Sequence, residues 1–89
     1  MTAYVYLLEC ADGSFYAGWT NDLTKRLAKH QSGCGSKYTR SHLPVKLVYS
    51  EKFADRQNAM RREYQLKRMT HTEKEALIKA KGSDNIVGR

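Results

Sequence analysis

The chain has 89 residues, of which 40% are apolar and 28% charged, a composition typical of a small globular domain. A chain of this length builds one small core, which excludes a large enclosed substrate cavity. The longest apolar run, Tyr4 to Leu8, is far shorter than the ~20 residues that cross a bilayer, and no basic segment leads into an apolar stretch at the start. Cys10 and Cys34 form no CxxC pair and lack zinc-ligand spacing, which favours reduced thiols. We therefore expect a cytoplasmic protein with no membrane partner.

Positive charge is concentrated in one stretch of the chain. The total is 16 Lys and Arg against 9 Asp and Glu, a formal net charge of +7. Residues 1–22 contain three acids and no Lys or Arg, whereas residues 23–50 contain six Lys and Arg and no acid. Such segregation favours a surface that binds a polyanion, and a solvated surface that aids solubility is the alternative.

The first half of the chain predicts a hairpin, a helix and a strand. Two β-rich runs, Ala3 to Glu9 and Phe15 to Thr20, flank Ala11-Asp12-Gly13. A three-residue loop there, with Gly13 left-handed, pairs Tyr6 with Gly18 and Tyr16 with Leu8, so that both tyrosines share a face; a two-residue Asp12-Gly13 turn would separate them. Asn21 or Asp22 caps a short helix that ends before residues 32–36, a basic loop follows over residues 37–43, and residues 45–53 form a third strand after Pro44.

The second half predicts two helices. Asp55 caps a helix that runs to about Met69, and Thr72 with Glu75 forms a capping box for a helix that ends near Gly82. The expected fold is α/β (α+β), a three-stranded antiparallel sheet flanked by helices in the order ββαβαα. We expect one domain over residues 1–82 and a flexible tail over residues 83–89.

Several side chains have spacings that suit chemistry on a phosphate. Gly18 opposite Tyr6 leaves space for a ligand or another backbone, or marks a bulge. Arg26 and His30, four residues apart on a helix, could hold one phosphate between them; a surface arginine beside a half-buried histidine is the ordinary alternative. His42 and His71 are expected in loops and receive no role.

Glu63 interrupts an apolar helical stripe. On a helical wheel it falls on the side defined by Ala59, Met60 and Leu66, where a carboxylate needs a partner. That partner is either an ion pair, with Lys67 at i+4, or a metal ion.

Together these positions resemble the GIY-YIG nuclease superfamily, and in particular its small single-domain bacterial branch, over about residues 3–80. The two triplets that name the family correspond to Tyr4-Val5-Tyr6 and Tyr16-Ala17-Gly18. The segment from Asn21 to His30 carries the family's Arg and His, Glu63 matches its metal-binding glutamate, and residues 33–40 match the loop of the small branch.

The resemblance implies phosphodiester hydrolysis with one divalent ion, Mg²⁺ or Mn²⁺, held by Glu63. It implies that Arg26 stabilises charge on the phosphoryl oxygens, that Tyr6 takes a proton from the attacking water, and that Tyr16 and His30 orient water or phosphate. We further expect six basic or aromatic residues to contact nucleic acid: Lys25, Lys29, Lys37, Tyr38, Arg40 and Lys67.

The function expected from these features is a metal-dependent DNA endonuclease with weak sequence specificity, acting in DNA repair or recombination, with RNA as the other candidate substrate. Small size and the lack of the asparagine that many relatives carry after the glutamate favour, as the alternative, a non-catalytic nucleic-acid-binding module of the same fold. A third reading is an adaptor whose basic face meets an acidic protein.

Overall fold

The computed structural model describes residues 2–87, with side chains described over residues 2–81. Its elements are β1 (Ala3–Glu9), β2 (Phe15–Thr20), α1 (Leu23–Gln31), α2 (Lys37–Ser41), β3 (Lys46–Phe53), α3 (Arg56–Arg68) and α4 (His71–Val87). The predicted mixed fold, a three-stranded antiparallel sheet flanked by helices, is confirmed. Within the part of the chain that is described, no helix has the length and apolarity needed to cross a membrane.

The first hairpin has the register expected of a three-residue loop. Tyr6 pairs with Gly18 and Leu8 with Tyr16, and Gly13 has a φ of +84°. The two-residue turn is therefore excluded, and side-chain alternation puts Tyr6 and Tyr16 on the same face. The sheet order is β2-β1-β3, so the first strand of the chain lies in the middle.

Helices cover both faces of β1, and its sequence is accordingly almost continuously apolar. One face packs under α3 and α4, where Val5, Leu7 and Leu66 are fully buried. The other face packs under α1 and carries Tyr6 and Leu8. Each core contains a buried tyrosine, Tyr49 in the first and the more deeply buried Tyr6 in the second.

Two local predictions were wrong. The segment expected as a basic loop contains α2, whose N-cap Ser36 accepts a hydrogen bond from the Thr39 amide. α4 begins two residues early, because Thr70 and Glu73 form the reciprocal cap that was expected of Thr72 and Glu75.

α4 also runs to Val87 instead of ending near Gly82, since a helix tolerates one internal glycine at a cost of about 1 kcal/mol. The division into a domain and a tail at residue 82 stays a prediction. The caps predicted for the other helices are confirmed, with Asp22 accepting from the Lys25 amide and Asp55 from the Asn58 amide.

Candidate active site

Tyr6 is the centre of the candidate site. Its side chain is 2% exposed and lies across Gly18 on the neighbouring strand, where a Cβ atom would overlap the phenol ring. The space left by Gly18 is thus filled by Tyr6 itself, and the alternatives of a ligand or a bulge at this point do not apply. Burial, helped by the nearby Tyr16, raises the pKa of Tyr6 to about 12.

His30 is buried directly against this phenol. The Tyr6 hydroxyl lies 2.9 Å from His30 Nε2, and His30 Nδ1 lies 2.8 Å from Thr39 Oγ1. With 1% exposure and both ring nitrogens engaged, His30 has no free nitrogen for a phosphate. The expectation that His30 and Arg26 share a phosphate, with His30 at the edge of the helix, is therefore corrected: His30 belongs to the interior. Burial, with the charge of Arg26, lowers its pKa.

The residues that enclose His30 were not recognised from the sequence as part of the site. Thr39, the buried residue of α2, is 0% exposed, and Gly35 lies so close to the imidazole that a Cβ atom would overlap the ring. The pattern Ser36-x-x-Thr39 could have indicated the helix cap. Nothing in the local pattern indicates that the capped turn folds back onto His30.

Arg26 lies beside the same pair of side chains. Its positive charge counteracts the rise in the pKa of Tyr6. Arg26 is half-buried on α1 and also lines a surface groove between exposed Lys25 and Lys29. It thus connects the buried phenol to a basic surface.

Tyr16 borders His30 on its other side. The two ring centroids are 5.3 Å apart, and Tyr16 in turn stacks with Tyr38 at 6.0 Å. Tyr38, 39% exposed, also stacks on His42 at 4.1 Å, and its hydroxyl donates to Ser14 Oγ. A row of aromatic rings therefore leads from the buried histidine to the surface, and His42, given no role from the sequence, supports Tyr38.

Glu63 lies at the border of the site. Its negative charge slightly raises the pKa of Tyr6. The carboxylate is half-buried, with 21% of the side chain exposed, and pairs with Lys67 Nζ at 3.6 Å. The predicted ion pair is thus present. Met60, expected on the buried side, is 47% exposed, because the core-facing side of α3 is limited to Ala59 and Leu66.

The chemistry of this carboxylate fits a weakly held hard cation. Among the side chains described, over residues 2–81, no three His, Cys, Asp or Glu are grouped as a metal cage. Mg²⁺ keeps several waters and is commonly bound through one or two carboxylates plus substrate phosphates, so a single accessible Glu63 suffices for a site completed by substrate.

A family model described as the GIY-YIG catalytic domain matches residues 2–76. The chain belongs to the GIY-YIG family. It is 53% identical to a UPF0213 protein of Clostridium perfringens over 78 residues, which cover 88% of this chain and 84% of that protein. A UPF0213 protein of Halobacterium salinarum is 47% identical over 75 residues, covering 84% of this chain and 97% of that protein.

Solved GIY-YIG relatives have the same fold. The solution NMR structure of a UPF0213 protein from Bacillus halodurans superposes with a TM-score of 0.61 at 48% identity, covering 92% of this chain and 87% of that one. A second NMR structure, of a protein from E. faecalis, gives a TM-score of 0.61 at 41% identity, covering 90% and 85% of the two chains. Membership of a nuclease family indicates a nucleic-acid substrate.

The surface residues expected to contact nucleic acid are accessible. Five of the six are exposed on α1 or α2: Lys25, Lys29, Lys37, Tyr38 and Arg40. The four basic residues among them have no ion-pair partner among the described side chains. Lys67 is exposed as well but pairs with Glu63. Their contact with nucleic acid stays a prediction.

Proposed function

We propose that this GIY-YIG protein is a divalent-metal-dependent endonuclease that hydrolyses phosphodiester bonds in DNA with weak sequence specificity. The observation that carries the proposal is the hydrogen bond between the buried Tyr6 hydroxyl and His30, with the charges of Arg26 and Glu63 close to the same phenol. A phenol, an imidazole, a guanidinium and a carboxylate are the groups that proton transfer and phosphate stabilisation need.

The protonation states define how Tyr6 can act. With a pKa of about 12, Tyr6 is a neutral phenol at pH 7, so it cannot by itself take a proton from water. It can do so by passing its own proton to His30 in the same step, which leaves a neutral phenol and an imidazolium. His30 is available for this because its lowered pKa keeps it neutral at pH 7.

The remaining charged groups act on the phosphate. Arg26 is partly exposed and offers a planar fork that matches two phosphoryl oxygens, so it stabilises the negative charge that develops there. Glu63 would hold Mg²⁺ or Mn²⁺, which supplies polarisation of the scissile phosphate and stabilisation of the leaving oxygen when bound. Tyr16, next to His30, is half-buried and can orient water at the mouth of the site.

The rest of the surface supports binding through phosphates more than through bases. The groove is lined by the cationic side chains of Lys25, Arg26 and Lys29, and contacts between such side chains and phosphates carry no sequence information. Weak sequence specificity and a general role in DNA repair or recombination in the cytoplasm are part of the proposal, and RNA is the competing substrate.

The test is cleavage of labelled single-stranded, duplex and branched DNA, and of matching RNA, with Mg²⁺, Mn²⁺ or EDTA. We expect cutting only with metal, at least a hundredfold slower in Glu63→Gln and in Arg26→Ala, while both variants still bind. Glu75→Gln, at an exposed carboxylate on α4, is the matched control and should cut normally. Equal cutting by all variants would overturn the proposal, since it would indicate a contaminating nuclease.

A non-catalytic nucleic-acid-binding module is the second candidate. The ion pair between Glu63 and Lys67 favours it, because an engaged carboxylate binds a cation less readily. Binding without cutting under every metal condition, by the wild-type protein as well as by the variants, would establish this candidate instead.

A further inference from the structure

Thr39 has no role in the proposed mechanism, yet it continues a chain of hydrogen bonds that begins at Tyr6 and ends at Ser36. The chain runs from the Tyr6 hydroxyl to His30 Nε2 at 2.9 Å, from His30 Nδ1 to Thr39 Oγ1 at 2.8 Å, and from Thr39 Oγ1 to Ser36 Oγ at 3.0 Å or the Ser36 carbonyl at 3.4 Å. Three of its members are buried, so each proton in it needs an acceptor within the protein.

The direction of these bonds follows from the acceptors available. The Tyr6 hydroxyl is near His30 Nε2 and the guanidinium of Arg26, which has only donors, so its proton must go to Nε2. A neutral imidazole that accepts at Nε2 carries its proton on Nδ1, which then donates to Thr39 Oγ1. The Thr39 hydroxyl has one proton of its own and donates it to Ser36.

We propose that Thr39 is a positioning residue that fixes His30 in the Nδ1–H tautomer and so keeps Nε2 open to receive the proton of Tyr6. The opposite tautomer would point an N–H at the phenol and leave the proton of Tyr6 without an acceptor. Gly35 also holds His30 in place, because a residue without a Cβ atom lets the backbone before α2 pack directly against the imidazole. The role of this tautomer in hydrolysis rests on the proposed function, whereas the assignment of the tautomer rests only on the hydrogen bonds.

The experiment is ¹⁵N NMR of the histidine ring nitrogens at neutral pH in the wild type, Thr39→Ser and Thr39→Val, with His30 assigned by its loss in His30→Gln. We expect a protonated Nδ1 and an unprotonated Nε2 in the wild type and in Thr39→Ser. Thr39→Val has nearly the same volume but no acceptor, so the Nε2–H tautomer should become populated.

Cleavage rates against pH in the same proteins test the consequence. Thr39→Val should lose roughly tenfold or more in kcat with little change in KM, and Thr39→Ser should recover most of it. An Nε2–H tautomer in the wild type, or no tautomer change in a folded Thr39→Val, would overturn the inference. The expected tautomers in a protein that never cuts would leave the inference intact and remove the proposed function.

A separate observation concerns the outer face of α3. Tyr64 is 62% exposed beside Met60 at 47%, and the guanidinium of Arg68 lies 5.5 Å from the centre of the Tyr64 ring. Both apolar side chains line a shallow hollow together with Gln57, Arg61 and Gln65. The sole acid of α3 is the half-buried Glu63, whereas its basic residues are Arg56, Arg61, Arg62, Lys67 and Arg68.

From this charge and the open aromatic ring we infer that the outer face of α3 binds single-stranded nucleic acid, with a base stacked on Tyr64 and phosphates near Arg61 and Arg68. An exposed aromatic ring between basic side chains is the arrangement by which proteins hold unpaired strands. A protein partner with acidic side chains is the other occupant to be tested.

The test is fluorescence anisotropy with a labelled single-stranded oligonucleotide and the matching duplex. Tyr64→Ala should weaken single-strand binding about tenfold, Tyr64→Phe should keep it, and duplex binding should change little in either. Met60→Ala controls for loss of apolar surface alone. Unchanged single-strand affinity in Tyr64→Ala would overturn the inference and point to a protein occupant.

Discussion

The buried chain from Tyr6 to Thr39 and the exposed basic surface of α1 and α2 both serve one proposed reaction, and they are built in opposite ways. In the buried chain the side-chain polar atoms of Tyr6, His30 and Thr39 all have hydrogen-bond partners within the protein, and two glycines provide the room that these side chains require. On the basic surface, Lys25, Lys29 and Lys37 are exposed and separately replaceable. A change in the first region should therefore act through structure, whereas a change in the second should act through charge.

The largest effect should come from Gly35→Ala. The added methyl group would overlap the His30 ring, so we expect a loss of about 1–3 kcal/mol in the free energy of unfolding, as is typical of an overpacked core. Urea denaturation measures it. Gly13→Asn is the control, because Gly13 has open space around it and asparagine tolerates its positive φ. If both variants were equally stable, the tight packing around His30 would be disproved.

A smaller effect on the free energy of unfolding should come from lowering the pH. His30 has a folded pKa below its unfolded value of 6.5, so the unfolded state binds more protons as the pH falls through that value. The contribution of His30 to the free energy of unfolding should therefore be constant above about pH 7.5 and decrease as the pH falls below about 6.5, by up to roughly 1.4 kcal/mol for each unit that separates the two pKa values. Arg26 adds to the penalty, and Tyr6 stays neutral throughout this range.

Urea titrations at several pH values measure this decrease. His30→Gln should be less stable at pH 7 but should lack the part of the pH dependence that His30 contributes. A wild type whose stability rises as the pH falls from 7 to 5.5 would contradict a neutral, buried His30.

The smallest effect on stability should come from the basic surface. Lys25→Gln and Lys29→Gln are expected to change the free energy of unfolding by less than about 0.5 kcal/mol. Log affinity falls as log salt concentration rises, and each substitution should make this negative slope less steep by up to ~0.9 for every duplex phosphate that the variant no longer neutralises. Lys46→Gln, at an exposed lysine paired with Glu9 on the sheet edge, is the control. Equal salt slopes for all three variants would show that α1 does not contact the phosphates.

The sequence limited the hairpin to two registers, a three-residue loop that ends at Gly13 and a two-residue Asp12-Gly13 turn, and the structure has the first, which puts Tyr6 and Tyr16 on one face. The helix α2 could not be predicted from the sequence, because a five-residue helix has too few positions for a periodic apolar pattern. Two overlapping capping boxes precede α4, and the sequence does not rank them. The earlier one is used, which brings His71 to the Gly13 carbonyl at 2.9 Å and onto the Phe15 ring.

For the candidate site, the identity of Tyr6, Tyr16, Arg26, His30 and Glu63 came from spacing and from family resemblance, and the structure brings them around one phenol. The sequence did not predict that His30 is fully buried. Its burial depends on Gly35 and Thr39, which approach only after the chain has turned back, and such non-local packing has no local signature. Glu63 was recognised because a carboxylate beside Ala59 and Leu66 breaks an apolar pattern.

The central position of β1 has a consequence for synthesis on the ribosome. β1 and β2 leave the exit tunnel first and can pair at once, but the other edge of β1 has no partner until β3 has followed. The contact between His71 and Gly13, 58 residues apart, closes later still. A nascent chain stalled once Thr20 has emerged should thus protect only the β1 amides that bond β2, whereas one stalled once Phe53 has emerged should protect the amides on both edges of β1. Pulse-labelled hydrogen exchange on stalled chains would reveal this order.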